Sequence, residues 1–407
     1  MQNNNEQTLL KKRKIKDVLL NIWTGSSSLI SVIILLAIIL FVSIRGFSSF
    51  DPRMITSDYY ETPYFATIKT SETYSFEHED ENGIYYSNLY GVGLKDDTDL
   101  EGNSVIMIDY IDNLSPLKNA KNVSSGENME ITTGQIIKRI QVVTDSGTEI
   151  FTSKIGAQAM ADGMDKGTTL AEFYYSTIGG GIRGSLLTTL LLIGITLVIA
   201  MPIGIIAALY LAIYAKKNRL TAIIRALIDM IAGVPSIIFG LIGVIIFIPF
   251  VSSATGNAGG SILSGALTMA IMLLPTIIKT TEESILNIPE GYKLSSHALG
   301  ASETQTTFKV ILPNAIPGIL TSILLSVGRI IGESVALIFA IGTAIQDDVS
   351  LFKGSSTLAV HIWTVMSGEN PNYGMACVIS LIILIVVLIL NILVKLVCKK
   401  LNKFEVK

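Results

Sequence analysis

The sequence predicts an all-α polytopic membrane protein: six membrane-crossing helices, with a β-rich extracytoplasmic insert between the first two. Three observations carry this. Half of the 407 residues are hydrophobic, only 15% are charged, and the mean hydropathy of +0.55 lies well above a soluble globular average. Six apolar runs approach or exceed the length needed to cross about 30 Å of hydrocarbon. A single long polar stretch, from about Gly46 to Ile182, separates the first run from the other five.

The first run, Leu29–Ile44, follows Lys11, Lys12, Arg13, Lys14 and Lys16. A cleaved signal peptide has the same outline, but no small-residue cleavage pattern precedes Arg45, which favours an uncleaved helix. The other runs are Leu186–Tyr214, Ile223–Val251, Ile262–Ile278, Ile316–Ile341 and Met375–Leu396. Lys216, Lys217 and Arg219 follow the second; Lys279, Lys293 and Lys309 lie between the fourth and fifth; Lys399, Lys400 and Lys403 close the chain. With six crossings these clusters fall on one face, which the positive-inside rule makes cytoplasmic, together with both termini. The expected units are a basic N-terminus with the first helix (1–45), the insert (46–182) and a five-helix core (183–407).

Within the insert, "YFATIKTSETYSF" and "SVIMIDYI" are rich in β-branched and aromatic residues, and "KRIQVVTDSGTEIFTSKI" reads as a hairpin around Asp145-Ser146-Gly147. Between Asp51 and Glu130 sixteen acidic residues face five basic ones. Such a surface repels anions, so it suits a solvated face or a docking platform for another protein. Cys377 and Cys398 stand twenty-one positions apart on one apolar run. At about 1.5 Å per residue that is ~31 Å along a helix, too far to bridge. His78, His297 and His361 are too scattered for a metal site, and no metal is expected.

The fifth run contains "SVGRIIGESVAL", with Arg329 and Glu333 amid apolar residues. An ionisable side chain at that depth costs roughly 2.5–3.5 kcal/mol on insertion scales. In a continuous helix Ser322, Ser326, Arg329, Gly332, Glu333, Ala336 and Ala340 share one face, which belongs against neighbouring helices or a watery path. Counting from just after Pro317 puts Arg329 about 16 Å in, near the midplane. Two readings stand side by side. The pair at i, i+4 neutralises itself and braces the bundle, or Arg329 makes the path tolerable for an oxyanion, with Glu333 orienting it. Arg225 and Asp229 repeat this spacing at the cytoplasmic end of the third run, where snorkelling makes a structural role cheap. Pro202 and Pro235 are expected to interrupt helices two and three, which hints at a pathway.

Between the fourth and fifth runs, residues 282–318 read as two short helices around Gly300. Ser302 and Gln305 form a capping box for the second, and Pro313 is expected to end it. A mere connector does not need apolar Ala298, Leu299, Phe308, Val310 and Leu312.

Gly300, nine residues, Val310, one residue and Leu312-Pro313 resemble the EAA loop of ABC importer permeases, which ends G-x9-I-x-L-P. The family's Glu-Ala-Ala is replaced by Leu294-Ser295-Ser296. "GVPSIIFG", "HALGAS", "ILPNAIPGIL" and "GRIIGES" together resemble the phosphate permeases, more the PstA branch than PstC. The likeness runs from about Gly180 to the C-terminus and leaves the insert uncovered.

The resemblance implies a type I ABC importer permease fold, in a bacterial cell membrane. It implies a phosphate importer with a homologous PstC-like permease, a dimeric PstB-like ATPase and an extracytoplasmic PstS-like phosphate-binding protein. On this likeness the substrate path contains Arg329, Glu333, Ser326 and Ser322. The ATPase-coupling loop contains Tyr292, His297, Ala298, Leu299, Gly300, Ala301, Phe308, Leu312 and Pro313. No G-x4-G-K-[ST] loop occurs, so ATP and Mg are expected on the partner ATPase; this chain needs no cofactor of its own and is not an enzyme. Lipid surrounds it, and no nucleic-acid partner is expected. Rival readings are a permease for molybdate or sulfate, the PstC-like position, or a membrane sensor or scaffold. A self-contained secondary transporter is disfavoured by the lack of an inverted repeat.

Overall fold

The computed structural model describes residues 2–70, 75–81, 83–100, 102–216, 218–368 and 370–401, with side chains from residue 16 to 397. Lys11, Lys12, Arg13, Lys14, Lys217, Lys399, Lys400, Lys403 and Cys398 lie outside the described side chains, as do residues 71–74 of one expected strand.

The long first helix α1 (Gln2–Ser49) packs along the last helix of the chain through Gly46, where an added Cβ would stand 2.9 Å from the carbonyl of Cys377. A short turn α2 (Arg53–Thr56) then leads into the insert. Its strands are β1 (Pro63–Lys69), β2 (Ile84–Ser87), β3 (Val92–Thr98), β4 (Ser104–Ile111), β5 (Lys121–Asn122), β6 (Ile136–Thr144), β7 (Gly147–Thr152) and β8 (Thr169–Ser176). They form an eight-stranded antiparallel sheet in the order β2-β3-β4-β6-β8-β1-β5, with β7 paired to β6.

The expected hairpin is present, with Thr144 opposite Gly147 and Asp145-Ser146 as its loop. Gly147 has φ +133°, a conformation favouring glycine. Helix α3 (Ala157–Met164) covers one face of the sheet. Met160 and Met164 join Leu94, Ile106, Ile140, Leu170 and Phe173 in a buried core, each such side chain contributing about 1.5–3 kcal/mol.

Beyond the insert come α4 (Arg183–Leu209), α5 (Arg219–Ala232), α6 (Ser236–Ile242), α7 (Ile248–Thr255) and α8 (Ile262–Leu286). They are followed by α9 (Glu290–Ala298), α10 (Glu303–Thr306), α11 (Leu312–Gly332), α12 (Val335–Ala340), α13 (Leu358–Met366) and α14 (Tyr373–Leu401). Six helical stretches among the described residues are long and apolar enough to cross a membrane: Lys16–Ser49, Arg183–Tyr214, Ser236–Thr255, Ile262–Leu286, Glu303–Gly332 and Tyr373–Val397. The most enclosed is α8, packed between α4 and α11; Gly204 of α4 fits so closely that a Cβ there would lie 2.5 Å from Ile277.

The expected interruption of the third run at Pro235 is present: Gly233, Val234 and Pro235 divide α5 from α6, because proline has no amide proton and disfavours helical geometry in the residue before it, so the span itself is Ser236–Thr255 and not Ile223–Val251. Three other expectations about helix continuity need correction. Pro202 does not interrupt α4, which passes through it. Pro313 does not end a helix, since α10, a π-helical turn at Thr307–Ile311 and α11 run on continuously, with the proline near the start of α11. Finally, Ile316–Ile341 is broken at Glu333, where ψ is 122°.

Candidate functional site

That last break changes the relation between the two intramembrane charges. Glu333 leaves the helix immediately after Gly332, and its Oε1 accepts the amide of Ala336 at 3.1 Å, capping the first turn of α12. Arg329, half-buried on α11, points elsewhere: its Nη1 donates to Thr276 Oγ1 of α8 at 3.4 Å. The two residues are not an ion pair, and no carboxylate among the described residues reaches Arg329. A guanidinium stays protonated in proteins, so this span carries an unneutralised positive charge with most of its N–H donors unspent.

The other expected path residues are Ser322 and Ser326, both fully buried on α11. Ser322 spends its hydroxyl on the carbonyl of Ile319 at 2.7 Å, whereas Ser326 Oγ has no partner among the described residues. Beside Arg329, Gly328 and Gly332 front open space: a Cβ at either would meet nothing within 4 Å. Val327 and Ile331 of α11 are also buried, in the cluster that includes Met269, Met272 and Leu273 of α8.

Arg225 and Asp229 do not pair with each other either. Arg225 binds Glu282 of α8 at 2.7 Å and the carbonyl of Leu211 at 2.8 Å, while Asp229 binds Lys279 at 2.9 Å. Sequence reasoning missed Glu282 and Lys279. Their signal was readable: opposite charges at i, i+4 on one helix meet opposite charges at i, i+3 on a later one, in antiparallel order. The two bridges border a cavity of about 400 Å³ between α5, α8 and the π-helical turn Tyr210–Tyr214 that follows α4.

At the same end of the bundle lies the loop. Helix α9 ends at Gly300 with φ +82°, and Ser302 and Gln305 make the expected capping box reciprocally, at 3.3 and 3.0 Å. Ser296, in the position of the family's missing Ala, is buried and meets Thr306 Oγ1 at 2.8 Å, which ties α9 to α10. Tyr292, Leu299 and Phe308 are exposed, Leu299 at 89%. Ala298, Gly300 and Pro313 are also exposed, Ala301 is half-buried, and His297 Nδ1 lies 3.1 Å from the carbonyl of Ala301. Leu312 instead packs inward against the cluster of Leu209, Ile285 and Ile311. A shallow, mainly apolar groove of about 590 Å³ opens between Tyr292, Ser295, Leu299 and Val310.

One buried cluster had no counterpart in the sequence reading. His361 of α13 is fully buried, with Nδ1 2.9 Å from Ser185 Oγ and the ring edge-on to Tyr59 at 5.1 Å. Its Nε2 has no partner among the described residues, and burial pushes the imidazole down to about 4.

These features define a class: a polytopic membrane protein with interrupted helices, a charged span and a structured loop at one end. Residues 200–403, half of the chain, match the family described as binding-protein-dependent transport system inner membrane component. The chain belongs to that family, and is a multi-pass inner-membrane protein with the ABC importer permease fold.

Among curated relatives, it is 35% identical over 200 residues to the probable ABC transporter permease protein YqgI of Bacillus subtilis, covering 46% of this chain and 66% of that one. It is 30% identical over 225 residues to the PstA homolog of the phosphate transport system of Mycoplasma pneumoniae, covering 55% and 34%. With the phosphate transport system permease protein PstA of Haemophilus influenzae it shares 34% over 160 residues, covering 39% and 55%. The chain thus spans no more than 66% of these relatives' lengths. A structure of the MetNI methionine ABC transporter aligns at a TM-score of 0.42 and 20% identity, covering 54% of this chain and 94% of that one.

Proposed function

We propose that this chain is the permease subunit of an ATP-driven importer of inorganic phosphate, in the PstA-like position. The observation that carries the reading is Arg329: a permanent cation in a membrane-crossing helix without a carboxylate partner among the described residues. Such a charge is costly in hydrocarbon unless a mobile anion compensates it, and a guanidinium forks well onto phosphate-like oxygens. Ser326, with its buried and unpartnered hydroxyl, supports the same path. Glu333 acts through the helix break that it caps, which leaves the guanidinium free. The relatives named for phosphate transport favour phosphate over molybdate or sulfate.

In this reading residues 1–45, 46–182 and 183–407 are the N-terminal helix, the external insert and the permease core. A PstC-like subunit completes the path, a PstS-like protein delivers phosphate, and a PstB-like ATPase dimer binds ATP and Mg. The loop 282–318 meets that ATPase: Tyr292, Leu299 and Phe308 expose the apolar surface, with Ala298, Ala301 and His297 around the Gly300 turn. Leu312 and Pro313 join the loop to α11 and so to Arg329.

Uptake of labelled phosphate in cells that depend on this system tests the reading, with sulfate and molybdate as competitors. Arg329→Gln is expected to lower uptake roughly ten-fold or more while the complex still assembles. Undiminished uptake by an assembled complex overturns it. Flux of sulfate or molybdate alone would assign another oxyanion, and no flux of any solute would favour a sensor or scaffold.

A further inference from the structure

The partner that Arg329 does have lies on another helix and was absent from the expected path. Thr276 follows Pro275 inside α8. On α8 and α11 several buried or half-buried hydroxyls turn back onto their own helix: Thr268 to the carbonyl of Ser264 at 2.8 Å, Ser284 to that of Thr280 at 2.7 Å, Ser322 to that of Ile319 at 2.7 Å; Thr281 of α8, fully buried, does not and has no partner among the described residues. Such back-bonding is the usual way to hide a hydroxyl in a helix. Thr276 departs from it. Its oxygen accepts from Arg329 at 3.4 Å, a long bond, and among the described residues its own proton goes to no acceptor. Ser326 Oγ, three residues before Arg329 on the same face of α11, is likewise uncommitted although fully buried. The guanidinium therefore touches an uncommitted hydroxyl on α8, and a second uncommitted hydroxyl lies three residues before it on its own helix. Gly328 and Gly332, next to and three residues after Arg329 in α11, have nothing within 4 Å of an added Cβ.

We propose that Thr276 is a ligand for the transported oxyanion: its hydroxyl donates to one oxygen of a tetrahedral anion while Arg329 forks onto others. This rests on the reading of Arg329 above and extends the site from one helix to two. The anion then bridges α8 and α11. Because Arg225 and Asp229 grip α8 at Glu282 and Lys279, occupancy is transmitted to the end of the bundle that carries the loop.

The test is uptake of labelled phosphate by the assembled complex carrying Thr276→Val, Thr276→Ser or Arg329→Gln. Valine keeps the branched shape and removes the hydroxyl. A lost hydrogen bond to a charged group is expected to raise KM roughly ten-fold with the maximal rate kept, and Thr276→Ser should restore KM. An unchanged KM in Thr276→Val, alongside failed uptake in Arg329→Gln, overturns the role of Thr276 and leaves the proposed function standing. Normal uptake in Arg329→Gln overturns both. Should the valine variant fail to assemble, Thr276→Cys in a chain with Cys377 and Cys398 replaced by serine gives a second measurement. Inorganic phosphate, and not chloride, is expected to slow its modification by a charged thiol reagent; equal rates overturn the proposal.

Discussion

Asp347 and Tyr59, 288 residues apart, are joined by a hydrogen bond of 2.7 Å from the Tyr59 amide to the Asp347 carboxylate, whose other oxygen accepts the amide of Tyr60 at 3.2 Å. Nearby Arg183, at the start of α4, pairs with Asp58, and the amides of Gly180 and Gly181 bond the carbonyls of Tyr59 and Asp58 at 2.8 and 2.9 Å. The two connections of the insert are thus zipped together and bolted to the loop between α12 and α13.

Asp347→Ala removes the acceptor for two backbone amides at once, a loss of about 1–3 kcal/mol at that junction. Hydrogen exchange at the amides of Tyr59 and Tyr60 is expected to accelerate, and proteolysis near residues 57–62 to increase. Asp347→Asn, which keeps one carbonyl oxygen, should lie between. Unaltered exchange at both amides would refute the bolt.

The Arg225–Glu282 bridge is asymmetric, since the Glu282 side chain is only 13% exposed against 39% for Arg225. Arg225→Leu strands a mostly buried carboxylate. A loss of roughly 1–3 kcal/mol is expected after allowing for solvent screening on the arginine side, seen as a lower thermal midpoint of the complex. The swap Arg225→Glu with Glu282→Arg should recover part of it. It should not recover all, because Arg225 also holds the carbonyl of Leu211.

His361 lies between the fifth and sixth spans, and burial holds its imidazole down to about 4 from an ordinary 6.5. Between those values the unfolded chain binds the proton more readily than the folded one, so stability falls as pH drops. The loss begins near pH 6.5 and by pH 4 reaches on the order of 3 kcal/mol. Thermal midpoints from pH 7 to 4.5 should show this decline, and His361→Asn should flatten it. An equally steep decline in the variant would exclude His361 as the cause.

Gly300 adopts φ +82° with nothing within 4 Å of an added Cβ, so substitution there is resisted by backbone conformation and not by crowding. Gly300→Val is expected to cost about 1–2 kcal/mol in the turn and to speed exchange across α9 and α10, with Gly300→Asn milder. Identical exchange in both variants would show that the turn does not depend on the glycine.

Much of the molecule was legible along one dimension. Apolar runs of bilayer length, the strand-rich insert with its Asp145-Ser146 hairpin, and the reciprocal Ser302–Gln305 cap each depend on residues within a few positions of one another, so their patterns survive in the sequence. Ser322, Ser326 and Arg329 were found as a helical face for the same reason. What folding in three dimensions decided was which groups face one another. Helix α11 stops at Gly332 because α12 finds its own packing site, with Ala336 against Gly240 of α6 and the carbonyl of Ala340 bonded by Ser264 at 2.7 Å. Once the helix breaks, spacing at i, i+4 no longer brings Glu333 to Arg329, and Thr276 from α8 takes its place. Periodicity specifies a face only while the helix continues, and whether it continues is settled by contacts with residues distant in the chain.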